Sequence, residues 1–280
     1  MRRTIRFWLV AMVIAGLGLV GGAGVAGAGQ PHEAKSKSTT TTTPKVTGSI
    51  TVSAAASLTS AFTKLGTDFQ KANPGTTVTF NFGGSGTLVT QIQSGAAADV
   101  FASADGANMQ KVVNGGQVTA EPTAFATNLL TIVVKPGNPK GVKTLADLAK
   151  LNVVSLCAPP QPCGTYADQI LAQAGVTIPP DHITRGADVK TTLAAVTTGD
   201  ADAAIVYVTD AKAAASTVAV VPIPAWQNAF AIYPIAPIAA STNADLANAD
   251  LANAWITYVA SAAGQKTLSS FGFLPPPPSE

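Results

Sequence analysis

The feature that most constrains this chain is a regular alternation of strand-like and helix-like segments from Gly48 to Ser270. β-Branched and aromatic residues at alternate positions predict strands, as at Val78, Phe80 and Phe82, and apolar residues at helical spacing follow most of them. This order is typical of α/β proteins with mostly parallel sheets. About 230 residues rich in Val, Ile, Leu and Ala supply enough apolar surface for two lobes. The alternation therefore predicts an α/β fold.

The C-terminal part of the alternating region predicts helical structure over Leu246–Ser270. Within it, Trp255 falls on the apolar face. We expect Trp226 and Trp255 to pack in the core or between lobes.

The first 28 residues have the composition of a secretory signal peptide. Arg2, Arg3 and Arg6 precede a short apolar run, and small residues follow it up to Ala28. We predict export with cleavage after Ala28. An uncleaved anchor is the alternative, although glycine dilutes the apolar run.

Removal of the signal peptide changes the charge balance of the chain. Three of the 17 basic residues are lost, which leaves 14 against 15 acidic residues. A chain with this balance lacks the positive field that nucleic-acid binding requires, so we expect no nucleic-acid partner. Any anion site must work through local contacts.

Two segments are predicted to remain unfolded. Residues 29–47 are polar and Thr-rich, and they lack the apolar residues that offset the entropy of ordering, so they form a flexible tether. Residues 274–280 contain the run Pro275–Pro278 and form a proline-rich disordered tail.

The chain has two cysteines, Cys157 and Cys163. A close pair in an exported protein predicts a disulfide. The loop that it closes is short, so the chain-entropy contribution is roughly 2 kcal/mol. A redox protein that uses this pair is the alternative, although the spacing is not that of a C-x-x-C motif.

Four strand-to-helix turns share a design that suits an anion. The first N–H groups of a helix have no partner inside it, and the helix dipole adds positive potential there. In open α/β sheets these turns gather at the carboxyl ends of the strands. One such turn means little, because serine is a common helix cap, but four together predict an anion site. The turns lie at Ser57, Ser85, Cys163–Gly164 and Asp188–Val189.

The sequence around these turns resembles the periplasmic molybdate-binding proteins of ABC importers. The similar blocks occur in the family's order across roughly residues 48–272. The resemblance implies a type II periplasmic-binding-protein fold, with two α/β lobes and the ligand in the interlobe cleft. The blocks are Ala54–Thr59, Phe82–Leu88, Gly95–Asp105, Pro162–Ala167, Asp188–Lys190, Gly199–Asp202 and Ala204–Tyr207.

The resemblance also implies which residues bind the ligand. The two serines give hydroxyl and N–H groups, two residues give a backbone N–H, and a tyrosine gives its phenol. The cysteine and the glycine at position 84, where the family often has serine, depart from the family pattern. The implied ligand residues are Ser57, Ser85, Cys163, Val189 and Tyr207.

The same resemblance predicts how the two lobes divide the chain. Lobe one comprises residues 48–131 and 230–273, and lobe two comprises residues 132–228. The chain crosses between the lobes twice, near Leu129–Val134 and near Phe230–Ile235, and these two crossings form the hinge. The two serines come from lobe one and the other donors from lobe two. The anion should therefore favour the closed form, which alone offers both sets of donors.

The implied site contains no Lys or Arg side chain. Neutral donors suit molybdate, tungstate and sulfate, which carry no proton at neutral pH, whereas phosphate retains a proton and needs an acceptor. Asp188, the only acidic residue in the turns, is expected to cap its own helix and to turn away from the ligand, and Lys190 is expected to point elsewhere. An Asp188 side chain that faced the pocket would favour phosphate. Only cavity size separates molybdate from sulfate, so another tetrahedral oxyanion is the alternative ligand.

The resemblance predicts a monomeric extracytoplasmic solute-binding protein that delivers molybdate, and tungstate, to the membrane subunits of an ABC permease. Molybdenum enters only as the anion, and no cofactor is expected. An enzyme is disfavoured, because a Ser or Cys nucleophile needs a base. His182, the one histidine outside the tether, lies in a polar turn.

Overall fold

Strands and helices alternate along the part of the chain that the computed structural model describes, residues 46–239 and 246–278. The predicted signal peptide and residues 29–45 of the predicted tether lie outside these ranges. The strands are β1 (Gly48–Ala55), β2 (Thr76–Gly83), β3 (Val100–Ala102), β4 (Thr123–Val134), β5 (Val154–Cys157), β6 (Ile183–Gly186), β7 (Ala203–Tyr207), β8 (Ala219–Pro222) and β9 (Phe230–Pro237).

Eight α-helices connect or cover these strands in the described residues. They are α1 (Thr59–Ala72), α2 (Ser85–Gln93), α3 (Gly106–Asn114), α4 (Pro162–Gln173), α5 (Val189–Thr197), α6 (Val208–Ala213), α7 (Leu246–Ala260) and α8 (Ala262–Ser270). Short 3₁₀ turns occur at Ala56–Leu58, Leu145–Lys150, Pro180–His182 and Ala225–Gln227.

Helix α1 shows how the apolar pattern produces packing. Phe62, Leu65 and Phe69 recur at helical spacing, and all three are buried. The rings of Phe62 and Phe69 meet Trp255 of α7 edge-on, with centroids 5.6 and 5.5 Å apart. Burial of three aromatic side chains ties α7 to the first part of the chain, although the two segments are far apart in sequence.

The strands follow one path, β2-β1-β3-β9-β4-β7-β5-β6, with β8 beside β4. Strand β4 links the two halves of the path. Its residues 123–129 pair with β9, and its residues 130–134 pair with β7 and β8. This change of partner lies inside the predicted crossing near Leu129–Val134. The two-lobe α/β fold is confirmed, while the exact lobe boundaries stay a prediction.

The Asn228 side chain adds a link between β4 and the segment that leads into β9. Asn228, just before β9, accepts a hydrogen bond from the N–H of Leu130 through Oδ1 at 3.0 Å. Its Nδ2 donates to the carbonyl oxygen of Leu130 at 2.8 Å. The amide thereby pairs with the backbone of β4 at the point where β4 changes partner.

The expectation of mostly parallel sheets is wrong. Four strand pairings are parallel and four are antiparallel. The parallel pairs lie at the two outer ends of the path, where helices connect the strands. The antiparallel pairs all involve β4 or β9, because these two strands run between the halves in opposite directions.

The helical prediction for Leu246–Ser270 is confirmed, as two helices, because the Ser261 side chain accepts the N–H of Gly264 at 3.2 Å and starts α8. One further sequence expectation differs from the structure. Trp255 is buried as predicted, but Trp226 is 81% exposed. Trp226 lies in the 3₁₀ turn Ala225–Gln227, and its exposed ring does not pack in the core.

The start of the predicted tail is paired. Leu274 forms two backbone hydrogen bonds with Thr127, each of 2.9 Å. In the part of the chain that the structure describes, no helix combines the length and hydropathy needed to cross a lipid bilayer.

Candidate anion-binding site

A small cavity lies where β1, β2, β5, β6 and β7 end and the segments after them begin. Its volume is about 10 Å³, which is about the space that one water molecule needs. All five residues predicted to bind the ligand border it. The lining residues are Ala55, Ala56, Ser57, Gly83, Gly84, Ser85, Ala104, Gln161, Pro162, Cys163, Asp188, Val189 and Tyr207.

Ser85 is the first residue of α2, which begins directly after β2. Its Oγ accepts a hydrogen bond from the N–H of Ala104 at 3.1 Å. That contact engages an oxygen lone pair and leaves the hydroxyl proton of Ser85 free to donate. Its backbone N–H belongs to the first turn of the helix, where no intrahelical acceptor exists.

Ser57 lies in the 3₁₀ turn Ala56–Leu58, which directly precedes α1. It is therefore not at the start of the α-helix itself. It is 6% exposed and borders the cavity. Its Oγ is 2.9 Å from the phenolic oxygen of Tyr233. The tight turn follows β1 and holds the hydroxyl at the strand end.

Cys163 and Val189 present backbone groups from the second half of the chain. Cys163 is the second residue of α4, after Pro162, and Val189 is the first residue of α5. Both N–H groups lie in a first turn, where the helix supplies no acceptor. The predicted disulfide is confirmed: Cys163 is bonded to Cys157, with the Cα atoms 5.7 Å apart.

Tyr207 ends β7 and is 1% exposed. Its phenolic oxygen has no hydrogen-bond partner among the described residues, although it is buried beside the cavity. Burial raises the pKa of the Tyr207 phenol well above its ordinary value. The group is therefore a neutral donor at physiological pH.

The charged residues nearest the cavity are occupied by one another or by backbone. Asp188 caps α5 as predicted, because its Oδ1 accepts the N–H of Thr191 at 2.8 Å. The residue also lines the cavity, so the prediction that it turns away from the ligand is not confirmed. Lys190 points away as predicted: its ammonium binds the buried carboxylate of Asp210 at 2.7 Å. Burial raises the pKa of Asp210, while the charge of Lys190 lowers it.

Gln161, which the sequence did not single out, connects the two halves across the cavity. Its Oε1 accepts the N–H of Gly86 at 3.0 Å, and its Nε2 donates to Oγ1 of Thr87 at 3.0 Å. A Cβ on Gly84 would overlap the Gln161 amide, and one on Gly86 would lie 2.9 Å from Cγ of Pro160. Glycines at the start of α2 therefore let the loop that carries Gln161 approach.

Tyr233 and Asn128 also escaped the sequence analysis. Tyr233 is fully buried on β9, within hydrogen-bond distance of Ser57, and Nδ2 of Asn128 lies 3.4 Å from its phenolic oxygen. The only available signal was a tyrosine within an otherwise apolar strand.

Within the described residues no group of three or more His, Cys, Asp and Glu side chains could hold a metal ion. The cavity instead offers hydroxyl and N–H donors from both halves of a two-lobe α/β fold. This arrangement is that of a periplasmic-type binding protein, and the donors make the cavity a candidate site for a small anion.

Comparison with known proteins places the chain in a family. The model of the bacterial extracellular solute-binding protein family matches residues 50–274. The molybdate-binding protein ModA of Mycobacterium tuberculosis is 42% identical over 230 residues, which cover 81% of this chain and 85% of that protein. The chain belongs to the bacterial extracellular solute-binding protein family.

Solved structures agree on the fold. The periplasmic molybdate-binding protein of Azotobacter vinelandii has a TM-score of 0.70 and 21% identity, over 81% of this chain and all of that one. The tungstate ABC transporter protein of Geobacter sulfurreducens has a TM-score of 0.63 and 19% identity, over 79% and 98%. At these identities the likeness shows the fold alone.

Proposed function

We propose that this protein binds molybdate, and tungstate, outside the cytoplasmic membrane and delivers the anion to an ABC importer. The proposal joins two kinds of support. The cavity is bordered by neutral hydrogen-bond donors from both halves of the fold, and the relative with 42% identity is a molybdate-binding protein.

The phenol of Tyr207 is the observation that carries the proposal. A buried hydroxyl without a partner costs about 1–3 kcal/mol, so a protein retains one where a ligand completes it. Tyr207 has no such partner among the described residues, and it borders the same cavity as the donors of Ser57, Ser85 and Val189. An anion at the centre of the cavity would supply the missing acceptor.

We assign the ligand contacts by group. Ser57 and Ser85 donate through hydroxyl and N–H, Cys163 and Val189 through N–H, and Tyr207 through its phenol. Hydrogen bonds to a charged acceptor contribute roughly 1.5–3 kcal/mol each, so a few preorganised donors hold a dianion without a buried cation. Neutral donors also avoid the desolvation cost that a buried Lys or Arg would add.

We also propose the lobe division: residues 48–131 with 230–273, and residues 132–228. Each lobe then contributes part of the donor set, and the anion stabilises the closed form because it contacts both. The partner is the membrane permease of the importer, and the protein acts as a monomeric carrier without cofactor or catalysis. The Thr-rich tether, residues 29–47, gives reach if the N-terminus stays anchored.

Thermal unfolding with a panel of oxyanions tests the ligand. At 100 times its Kd, a ligand that binds only the native state adds about 2.7 kcal/mol of stability. For a domain of this size, that corresponds to a rise in Tm of roughly 5–10 °C. Molybdate and tungstate should give this rise. A larger rise with sulfate than with molybdate would refute the ligand assignment.

Substitution of one serine tests the site. Ser85→Ala should weaken molybdate binding about tenfold or more, because a hydroxyl donor to a charged acceptor is lost. Isothermal titration calorimetry measures the change. Ser94→Ala, at the exposed C-terminal end of α2, is the matched control and should bind normally. Equal binding by both variants would remove Ser85 from the site.

A further inference from the structure

We propose that Tyr233 is a specificity-determining positioning residue, whose phenol turns the Ser57 hydroxyl into a donor toward the cavity. The site would then select oxyanions that carry no proton. The inference rests on the proposed function, because it concerns how the same cavity distinguishes molybdate from a protonated anion of equal charge.

The surroundings of Tyr233 hold its phenol in place. The side chain is 0% exposed, and its oxygen is 2.9 Å from Oγ of Ser57. Its ring meets the rings of Phe125, Tyr207 and Phe273 edge-on, with centroids 6.2, 6.0 and 5.4 Å apart. Packing on three sides leaves the hydroxyl directed at Ser57.

The orientation of Asn128 gives this contact its direction. Oδ1 of Asn128 accepts the N–H of Leu129 at 3.0 Å, which fixes which end of the amide is oxygen. Nδ2 therefore points the other way. It donates to Oγ1 of Thr209 at 2.9 Å and to the phenolic oxygen of Tyr233 at 3.4 Å.

The phenolic oxygen of Tyr233 thus accepts from Asn128, and its single proton needs an acceptor. Among the described residues, Oγ of Ser57 is the acceptor within hydrogen-bond distance. The reverse arrangement, with Ser57 donating to Tyr233, would leave a buried phenol proton unpaired. Ser57 therefore accepts from Tyr233, and its own proton is available to the cavity that it borders.

Ser85 reaches the same state by a different route. Its Oγ accepts the N–H of Ala104, a backbone donor that cannot reverse. The two serines therefore face the cavity as donors, one fixed by backbone and the other by the chain from Asn128 through Tyr233. Within the part of the chain that the structure describes, Asp188 is the only carboxylate residue that lines the cavity, and its Oδ1 accepts the N–H of Thr191.

This arrangement has a consequence for selectivity. Molybdate and hydrogen phosphate are both dianions in mildly alkaline buffer, but hydrogen phosphate carries a proton that must meet an acceptor. A Ser57 hydroxyl that is free to rotate could accept that proton. A Ser57 hydroxyl that accepts from Tyr233 has one lone pair engaged and turns its proton toward the cavity, so Tyr233 disfavours the protonated anion relative to molybdate.

The variant Tyr233→Phe tests the inference by calorimetry with sodium molybdate and sodium phosphate in mildly alkaline buffer. We expect the Kd for molybdate to rise about tenfold while the Kd for hydrogen phosphate does not rise, so that the ratio of the phosphate Kd to the molybdate Kd falls about tenfold. Tyr258→Phe, in the aromatic cluster around Trp255, is the control and should keep the wild-type ratio.

The variant Asn128→Asp provides a second measurement. A carboxylate at position 128 accepts the Tyr233 proton and reverses the contact with Ser57. The added charge repels both dianions, so the ratio of their Kd values isolates the hydrogen-bond direction and should also fall. A wild-type ratio in both variants would overturn the role of Tyr233. Failure of the wild-type protein to bind molybdate would instead overturn the proposed function itself.

Discussion

Ser57, Ser85 and Tyr207 illustrate how single residues acquire a role from their neighbours. Each is a common residue that the sequence could select only by its place after a strand. The structure adds which atoms are already engaged: Ser85 accepts from Ala104, Ser57 contacts Tyr233, and Tyr207 contacts no polar partner among the described residues. The remaining hydroxyl protons are the ones that a ligand can use.

The tyrosines give a prediction about pH. Burial raises the pKa of the Tyr166 phenol to about 12, and it also raises the pKa of Tyr207, Tyr233 and Tyr258 above the ordinary value. These four are all the tyrosines in the sequence. Native protein near pH 10 should therefore show little phenolate absorbance, and unfolding in urea should increase it.

The same pKa shifts determine whether the protein gains or loses stability as the pH rises. Above about pH 10, unfolded tyrosines release protons that native tyrosines keep, so the free energy of unfolding falls as pH rises. Urea titrations at pH 8 and near pH 10.5 measure the difference. Phenolate formation at the same pH in native and unfolded protein would contradict the burial of these phenols.

At the scale of elements, the first turns of the segments after β1, β2, β5 and β6 bring the donors together. Their sequences differ: a 3₁₀ turn follows β1, a glycine precedes α2, a proline begins α4, and an aspartate caps α5. What they share is a set of N–H groups without an acceptor inside the helix. Local sequence was sufficient to predict these turns, because capping and strand ends are local features.

The disulfide belongs to this scale, because it closes the loop between β5 and α4. We expect Cys157→Ser with Cys163→Ser to lower the free energy of unfolding by about 2 kcal/mol, since the cross-link restricts the unfolded chain. Molybdate affinity should change less, because the proposed contact at position 163 is a backbone N–H. Urea unfolding and calorimetry measure the two effects.

Reduction of the wild-type protein provides the control for the double variant. Both should lose a similar amount of stability if the cross-link is the cause. A large loss of affinity with little loss of stability would mean that the disulfide acts mainly on the site.

At the scale of the whole molecule, hydrogen bonds across the cavity hold the two halves together. Gln161 provides two of them, and Nδ2 of Asn108 donates to the carbonyl oxygen of Pro160 at 3.2 Å to give a third. Asn228 joins the crossings at Leu130. In the proposed two-lobe division, these bonds favour the closed arrangement independently of any bound anion.

Gln161→Ala should shift the ligand-free protein toward an open form, because two of these bonds are lost. The apparent affinity falls in proportion to the population of the closed form, so molybdate should bind several-fold more weakly. Small-angle X-ray scattering should show a larger radius of gyration without ligand and the wild-type radius at saturation.

Gln173→Ala is the matched control for this prediction, because Gln173 lies at the exposed C-terminal end of α4, the helix that Gln161 precedes. It should match the wild-type protein in both measurements. Unchanged scattering and affinity in the Gln161 variant would show that its contacts do not stabilise the closed form.

The sequence by itself determined the α/β class, the family, the disulfide, the cap at Asp188 and the five residues that border one cavity. These depend on patterns that are local or carried in short blocks. Only the tertiary structure decided the balance of parallel and antiparallel strands, the exposure of Trp226, and the roles of Gln161, Asn128 and Tyr233. Each of these depends on contacts between segments far apart in the chain, such as Tyr233 and Ser57, which are 176 positions apart. No periodicity or spacing records such contacts, because they arise only when packing brings the segments together.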